Sequence, residues 1–273
     1  MGEEEAIQRT TGAPVTVDSI ESDLRNLGIE AGDCVLVHSS LSSMGWVCGG
    51  AVSVILALEA VIRPYGILVM PTHTGDLSDP SGWEHPPVPE EWWDEIRRSM
   101  PPYDPEFSPT RGMGVVSETF RKQPDVVRSN HPQLSFCAWG DECLSIAADH
   151  ALEYGLGEDS PLARIYDRDG WVLLIGVGHE RNTSLHLAET RAEYPEKPII
   201  PCSAPVQIDG HTRWKTYEEL DYSAEDFAEL GHDFMNRCKH DIRLGAVGYA
   251  KAQLFRQRVC VDFAMQWFHR NRR

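Results

Sequence analysis

Three short runs of unbroken apolar residues most constrain what this 273-residue chain can fold into: CVLVH at 34–38, ILVM at 67–70 and VLLIGV at 172–177. A strand that turns one face to water alternates apolar and polar residues, whereas one covered on both faces does not. Runs of this length bounded by turn residues therefore read as buried strands. Helical segments lie between them. Residues 16–27 place Ile20, Leu24 and Leu27 on one face with Gly28 as the stop, and an apolar helix over 51–62 closes before Pro64. Arg111-Gly-Met-Gly114 leads into a helix through Phe120, and Asn182 is placed to cap a helix reaching about Tyr194. Apolar helical spacing returns over 248–268, with Leu254, Phe255, Val259, Phe263 and Trp267. Strands alternating with helices predict an α/β fold built on a sheet flanked by helices. Pro198 and Pro201 mark a change of character without a boundary, so residues 1–273 read as one domain.

The net charge of −17 sets the class of partner. A chain this acidic repels nucleic acid and anionic membranes and attracts cations, although solubility alone also accounts for such a charge. The N-terminal MGEEEA has neither the basic nor the apolar region of a signal peptide, and no apolar run approaches a membrane span. A cytoplasmic location is expected. Seven cysteines with no CxxC pair fit reduced thiols, most of them acting as small buried hydrophobes.

The acid is unevenly placed. Residues 76–106 hold nine carboxylates against Arg97 and Arg98, together with seven prolines and Trp83, Trp92 and Trp93. Three tryptophans have too much apolar area for a solvated linker. The stretch predicts an ordered acidic excursion with a short helix over 90–100, a wall suited to a polycationic ligand.

Several chemistries are absent from the motifs. The chain has no GxSxG elbow, no Walker loop and no HExxH, and Gly176-Val-Gly178 lacks the third glycine of a dinucleotide fingerprint. Cys238 and His240 stand close together, but no Cys/His cluster has zinc spacing, so no metal is expected. What remains is Asn182-Thr-Ser-Leu-His186-Leu-Ala-Glu189. On a helix His186 and Glu189 are three apart and share a face. A carboxylate on one ring nitrogen fixes the tautomer and raises the basicity of the other, as a general base requires. A surface ion pair is the plainer reading of the same spacing. The pair follows a buried strand and a Gly-x-Gly turn, at the sheet edge where α/β proteins bind ligands.

The block VLLIGVGHERNTSLHLAE at 172–189 resembles the signature of the aminoglycoside 3-N-acetyltransferase, or antibiotic N-acetyltransferase, family. So do LVHSSLSSMGWVCGG (36–50), LVMPTHT (68–74), TRGMGVVSETFR (110–121), RSNHPQLSFCAWG (128–140) and SPLARIYDRDG (160–170), all in the family's order, with VGYAKAQLF and VDFAMQWF near the C-terminus. The resemblance implies a single α/β domain with a mixed central sheet, distinct from the GNAT fold. It implies acetyl-CoA as co-substrate and direct transfer to an amine, without an acyl-enzyme. The catalytic pair falls on His186 and Glu189. The CoA site falls on Ser39, Ser40, Leu41, Ser42 and Ser43, on Met70, Pro71 and Thr72, and on Thr110, Met113 and Gly114. A turn leading into a glycine-started helix offers N–H groups to phosphate, and the backbone near Ser42 to Gly45 or at Thr72 is a candidate oxyanion site. Asp76, Asp79, Glu84, Glu118 and Asp159 are candidates to hold the ammonium groups of the aminoglycoside. A monomer or homodimer is expected. Two alternatives stay open: an acyltransferase for another amine, and a non-catalytic CoA- or polyamine-binding protein.

Overall fold

A computed structural model describes residues 3–195 and 197–272; the first two residues of the MGEEEA stretch lie outside it. Nine strands form: β1 (Cys34–Ser39), β2 (Ile67–Pro71), β3 (Val127–Arg128), β4 (Phe136–Gly140), β5 (Trp171–Ile175), β6 (Ile199–Ile208), β7 (His211–Leu220), β8 (Ile242–Val247) and β9 (Ala250–Arg256). Seven make one mixed sheet in the order β3-β4-β2-β1-β5-β9-β8. Its centre is parallel, β1 pairing with β2 and β5, and the flanking pairs are antiparallel.

The unbroken apolar runs are explained by two cores sharing these strands. Val35 and Val37 of β1 face one core, and Leu36 faces the other; β5 divides the same way, Leu173 against Val172 and Leu174. The helices Val17–Leu27 and Gly50–Ile62 cover the first face, while Pro161–Asp167, Ser184–Arg191, Phe227–Arg237 and Gln257–Asn271 cover the second. Thr16 caps the first helix in a capping box with Ser19, and Gly28 ends it in the left-handed conformation.

Several expectations need correction. The apolar stretch over 248–268 is a strand and then a helix. Residues 250–256 are strand, 252–256 of them paired with β5, and the helix begins at Gln257. Ala250, Ala252 and Leu254 alternate toward one core and Phe255 enters the other, so sheet pairing overrides residues that also suit a helix. The helix after Asn182 is shorter than expected, Ser184–Arg191. Lys197 Nζ reaches back to the carbonyls of Thr190 and Ala192, satisfying groups that another helical turn would have bonded. The third run stops being strand at Ile175, because Gly176 turns left-handed.

The excursion is ordered, with turns at Pro80–Gly82 and Glu90–Trp92 and a helix at Trp93–Ser99. It leans on the separate β6–β7 hairpin, where Tyr103 N–H donates to Pro205 O at 3.1 Å and Trp214 Nε1 donates to Arg97 O. Trp92 nevertheless stays 58% exposed, so the tryptophans are less buried than their area led us to expect. Among the described residues no helix is long and apolar enough to cross a membrane. The seven cysteines are unpaired.

Candidate active site

The carboxyl ends of β1 and β2 open onto a cavity of about 740 Å³. Its floor is the turn that leaves β1, Ser39 to Ser42, with Pro71 from the end of β2 and Gly176 from the turn after β5. Gly112 to Ser117 and Gly45 to Val47 form the sides, and Gly50 brings in the N-terminus of a thirteen-residue helix. Of the residues singled out for CoA, Ser39, Ser40, Leu41, Ser42, Pro71, Met113 and Gly114 line this cavity. Ser43, Met70, Thr72 and Thr110 do not. Ser43 Oγ bonds Ser40 Oγ and Gly176 O behind the turn, and Met70 is wholly buried. Thr72 N–H donates to Ser135 O at 2.9 Å, which removes it as an oxyanion donor. Thr110 is bonded to Glu118.

His38, Thr183 and Arg181 also line the cavity and were missed from sequence. His38 ends the apolar run of β1, a position where a histidine meets the ligand edge of a sheet, and that was the available signal. Burial, and then the neighbouring His179 and His186, push its imidazole down to about 3, so it is neutral. Its Nε2 lies 3.3 Å from Thr183 Oγ1. Arg181 is exposed, and among the described residues it has no acid partner.

One turn beyond Thr183 stands His186, whose side chain is 16% exposed. It is not in the lining of the cavity; Thr183 is the residue of this helix start that reaches it. His186 Nδ1 bonds Glu189 Oε2 at 2.8 Å, and the carboxylate is only 1% exposed. The other oxygen of Glu189 accepts Ser223 N–H at 3.0 Å and the guanidinium of Arg272. Tyr222 packs edge-on and Phe227 at a tilt against the imidazole, their ring centres 5.1 and 4.8 Å away. Nε2 of His186 has no hydrogen-bond partner among the described residues. The pair is thus a partly accessible imidazole on a buried, hydrogen-bonded carboxyl group rather than a pair on the open surface.

The five candidate substrate carboxylates do not converge, and none lines the cavity. Asp79 is held by Arg97 through two bonds of 2.7 and 2.9 Å, which keeps it well below the usual carboxylate range. Burial raises Glu118, but bonds from Arg121, Lys122 and Thr110 outweigh it and hold this acid low as well. Asp76 pairs with Arg111. The chain's own arginines and lysine therefore already pair with three of the five. Glu84 and Asp159 are exposed. The excursion's residue count showed acid without showing where its cations point.

Cysteine chemistry has no place here. Burial pushes the Cys34 thiol up to about 12 and Cys137 to about 11, and none of the seven lines the cavity. No group of three or more His, Cys, Asp or Glu among the described residues is placed to hold a metal.

Comparison with known proteins agrees with this arrangement. A family profile described as aminoglycoside 3-N-acetyltransferase matches residues 36–269. The chain belongs to that family. It is 49% identical over 266 residues to the SPbeta prophage-derived aminoglycoside N(3')-acetyltransferase-like protein YokD of Bacillus subtilis, covering 97% of this chain and 96% of that one. It is 35% identical to aminoglycoside N(3)-acetyltransferase VII of Streptomyces paromomycinus, over 97% and 95% of the two chains. The crystal structure of YokD superposes with a TM-score of 0.95, at 48% identity and 98% coverage of both chains. AAC-IIIb, solved as a binary complex with CoASH, superposes with a TM-score of 0.84 at 31% identity, over 94% of this chain and 97% of that one. As a member of the aminoglycoside 3-N-acetyltransferase family the protein is an acyltransferase, and its mixed sheet flanked by helices is the family's fold.

Proposed function

We propose that this enzyme moves the acetyl group of acetyl-CoA directly to the 3-amino group of an aminoglycoside, with His186 as general base and Glu189 as its support. The observation that carries this reading is the 2.8 Å bond from His186 Nδ1 to a carboxylate with 1% exposure, beside a cavity large enough for a pantetheine arm. Acetyl-CoA enters by the β1 turn. Arg181 and the N-terminus of the Gly50–Ile62 helix face its phosphates, and the relative crystallised with CoASH supports this use of the fold. The named activity of the Streptomyces relative supports the aminoglycoside as acceptor. The unpaired cysteines fit a reducing, cytoplasmic setting.

In the reaction the amine nitrogen attacks the thioester carbonyl and forms the C–N bond, while His186 Nε2 takes the proton the nitrogen sheds. Collapse of the tetrahedral adduct breaks the C–S bond, and the proton held on His186 goes to the departing thiolate. Backbone N–H groups of the turn near Ser42 to Gly45, which borders the cavity, would donate to the oxyanion. Proton transfer of this kind is worth roughly 10²–10⁴ in rate, and the shared cleft supplies more by aligning the two reactants.

The test is His186→Ala, assayed by release of the CoA thiol with a gentamicin-type acceptor and by mass spectrometry of the product. Turnover should fall by about 10²–10⁴ while acetyl-CoA still binds. Unchanged turnover would end the assignment, and acetylation of a different amine would redirect it.

A further inference from the structure

Arg272 stands at the end of the last helix, 83 residues from Glu189 in sequence, yet it completes the shell around that carboxylate. Its guanidinium is fixed before it reaches Glu189. Nε and Nη2 bond the two oxygens of Asp226 at 2.8 and 2.7 Å, and Nη2 also donates to Ser223 O at 2.9 Å. The face of the guanidinium lies 4.1 Å from the centre of the Phe268 ring, and its side chain is only 15% exposed. Nη1 donates to Glu189 Oε1 and, at 3.4 Å, to Tyr194 Oη. Ser223 is used twice, its carbonyl by Arg272 and its N–H by Glu189. The fork geometry of arginine makes this possible, because a planar group held by one carboxylate and a carbonyl fixes the direction in which Nη1 points.

The charge matters as much as the aim. A buried carboxylate against an imidazole, left alone, stabilises the imidazolium and so keeps the proton that a general base must first lack. Arg272 opposes this by placing a positive charge on the far oxygen. We propose that Arg272 is a positioning residue that both aligns Glu189 with His186 and sets the pH at which the pair gives up its proton. The inference rests on the general-base reading above. Other groups act on the pair as well. Lys197 and Tyr194 face Glu189 from the segment after its helix, Tyr222 packs on His186, Asp226 faces Arg272, and His38 and His73, both neutral, approach from the ends of β1 and β2. Of the cations among these, Arg272 is the one that bonds the carboxylate.

Two measurements on Arg272→Gln test it. The acid limb of kcat/KM should move to higher pH by about one unit, the effect of removing one opposite charge from contact with a carboxylate. The NMR titration midpoint of the His186 ring should move the same way, since the pair now takes up its proton sooner. Arg272→Lys should restore most of the shift. Asp226→Asn, which leaves the arginine and removes its counter-charge, should move both readouts to lower pH, and it decides the matter if Arg272→Gln does not fold. A uniform loss of rate with an unmoved limb and midpoint would reduce Arg272 to a structural brace and overturn the proposal. Full activity of His186→Ala would instead remove the general base, and the ring titration would still judge Arg272 by itself.

Discussion

Burying a carboxylate to 1% exposure costs it its hydration unless hydrogen bonds replace the lost water, and both oxygens of Glu189 are supplied. Glu189→Gln tests what that charge does. The amide keeps the size of the side chain, but it no longer selects the tautomer of His186 that leaves Nε2 free, nor does it stabilise the charge the ring acquires. We expect kcat to fall by roughly 10²–10⁴ with the KM for acetyl-CoA almost unchanged, measured by thiol release at saturating acceptor. A proportional rise in KM with an unaltered kcat would mean that the carboxylate serves binding. The spacing of His186 and Glu189 was readable in the sequence because both lie on one helix. Arg272 and Ser223 were not, since nothing local links residues 83 and 34 positions away to Glu189. Their placement depends on how the last helix packs against the Ser184–Arg191 helix.

At the scale of elements, the β1 turn and the turn after β5 are held face to face. Gly176 adopts φ +65, and a Cβ there would lie 2.4 Å from Ser43 Cβ. Gly176→Ala should therefore push Ser43 and displace the Ser39–Ser42 floor it backs, raising the KM for acetyl-CoA several-fold while costing on the order of 1–3 kcal/mol in stability. Isothermal titration with CoA and a urea melt would show both, and tight CoA binding in a stable variant would contradict it. Elements with an internal signal were legible: β1, β2 and β5 from unbroken apolar runs, and the helix at Val17–Leu27 from its period and caps. The hairpin β6–β7 was not. Pro201 and Pro205 stand within β6 and argue against a strand, although they are tolerated in a two-stranded ribbon that stands apart from the main sheet. The Asp209-Gly210 turn, with φ of 50 and 75, was the overlooked sign of a tight reversal.

The whole molecule carries several histidines whose burial keeps them neutral. His38 and His73 are pushed down to about 3, His150 and His179 to about 4, and His131 well below its usual value. In the unfolded chain these rings titrate near 6.5. Between that pH and their folded values the unfolded state binds more protons, so their contribution is complete above 6.5 and is lost as the pH falls. Each ring fully in that window steepens the loss by about 1.4 kcal/mol per pH unit. Urea melts should show stability dropping sharply from pH 6.5 toward 4.5, well before the low-lying Asp79 and Glu118 are protonated. A flat profile across that window would mean the rings reach water in the folded state. Composition announced eleven histidines without showing that these would be buried, because burial is a property of the sheet edge and loops they share.

The interleaving of the two cores has an evolutionary side. Val35 and Val37 belong to one core and Leu36 to the other, so deleting or inserting one residue in β1 would exchange both sets at a stroke. Such a strand cannot drift in length by small steps. Change is left to segments that no core reads on both sides, such as the excursion at 76–106 and the ribbon at 199–220. Descendants of this chain would then diversify at the rim while the apolar strands kept their count, residue for residue.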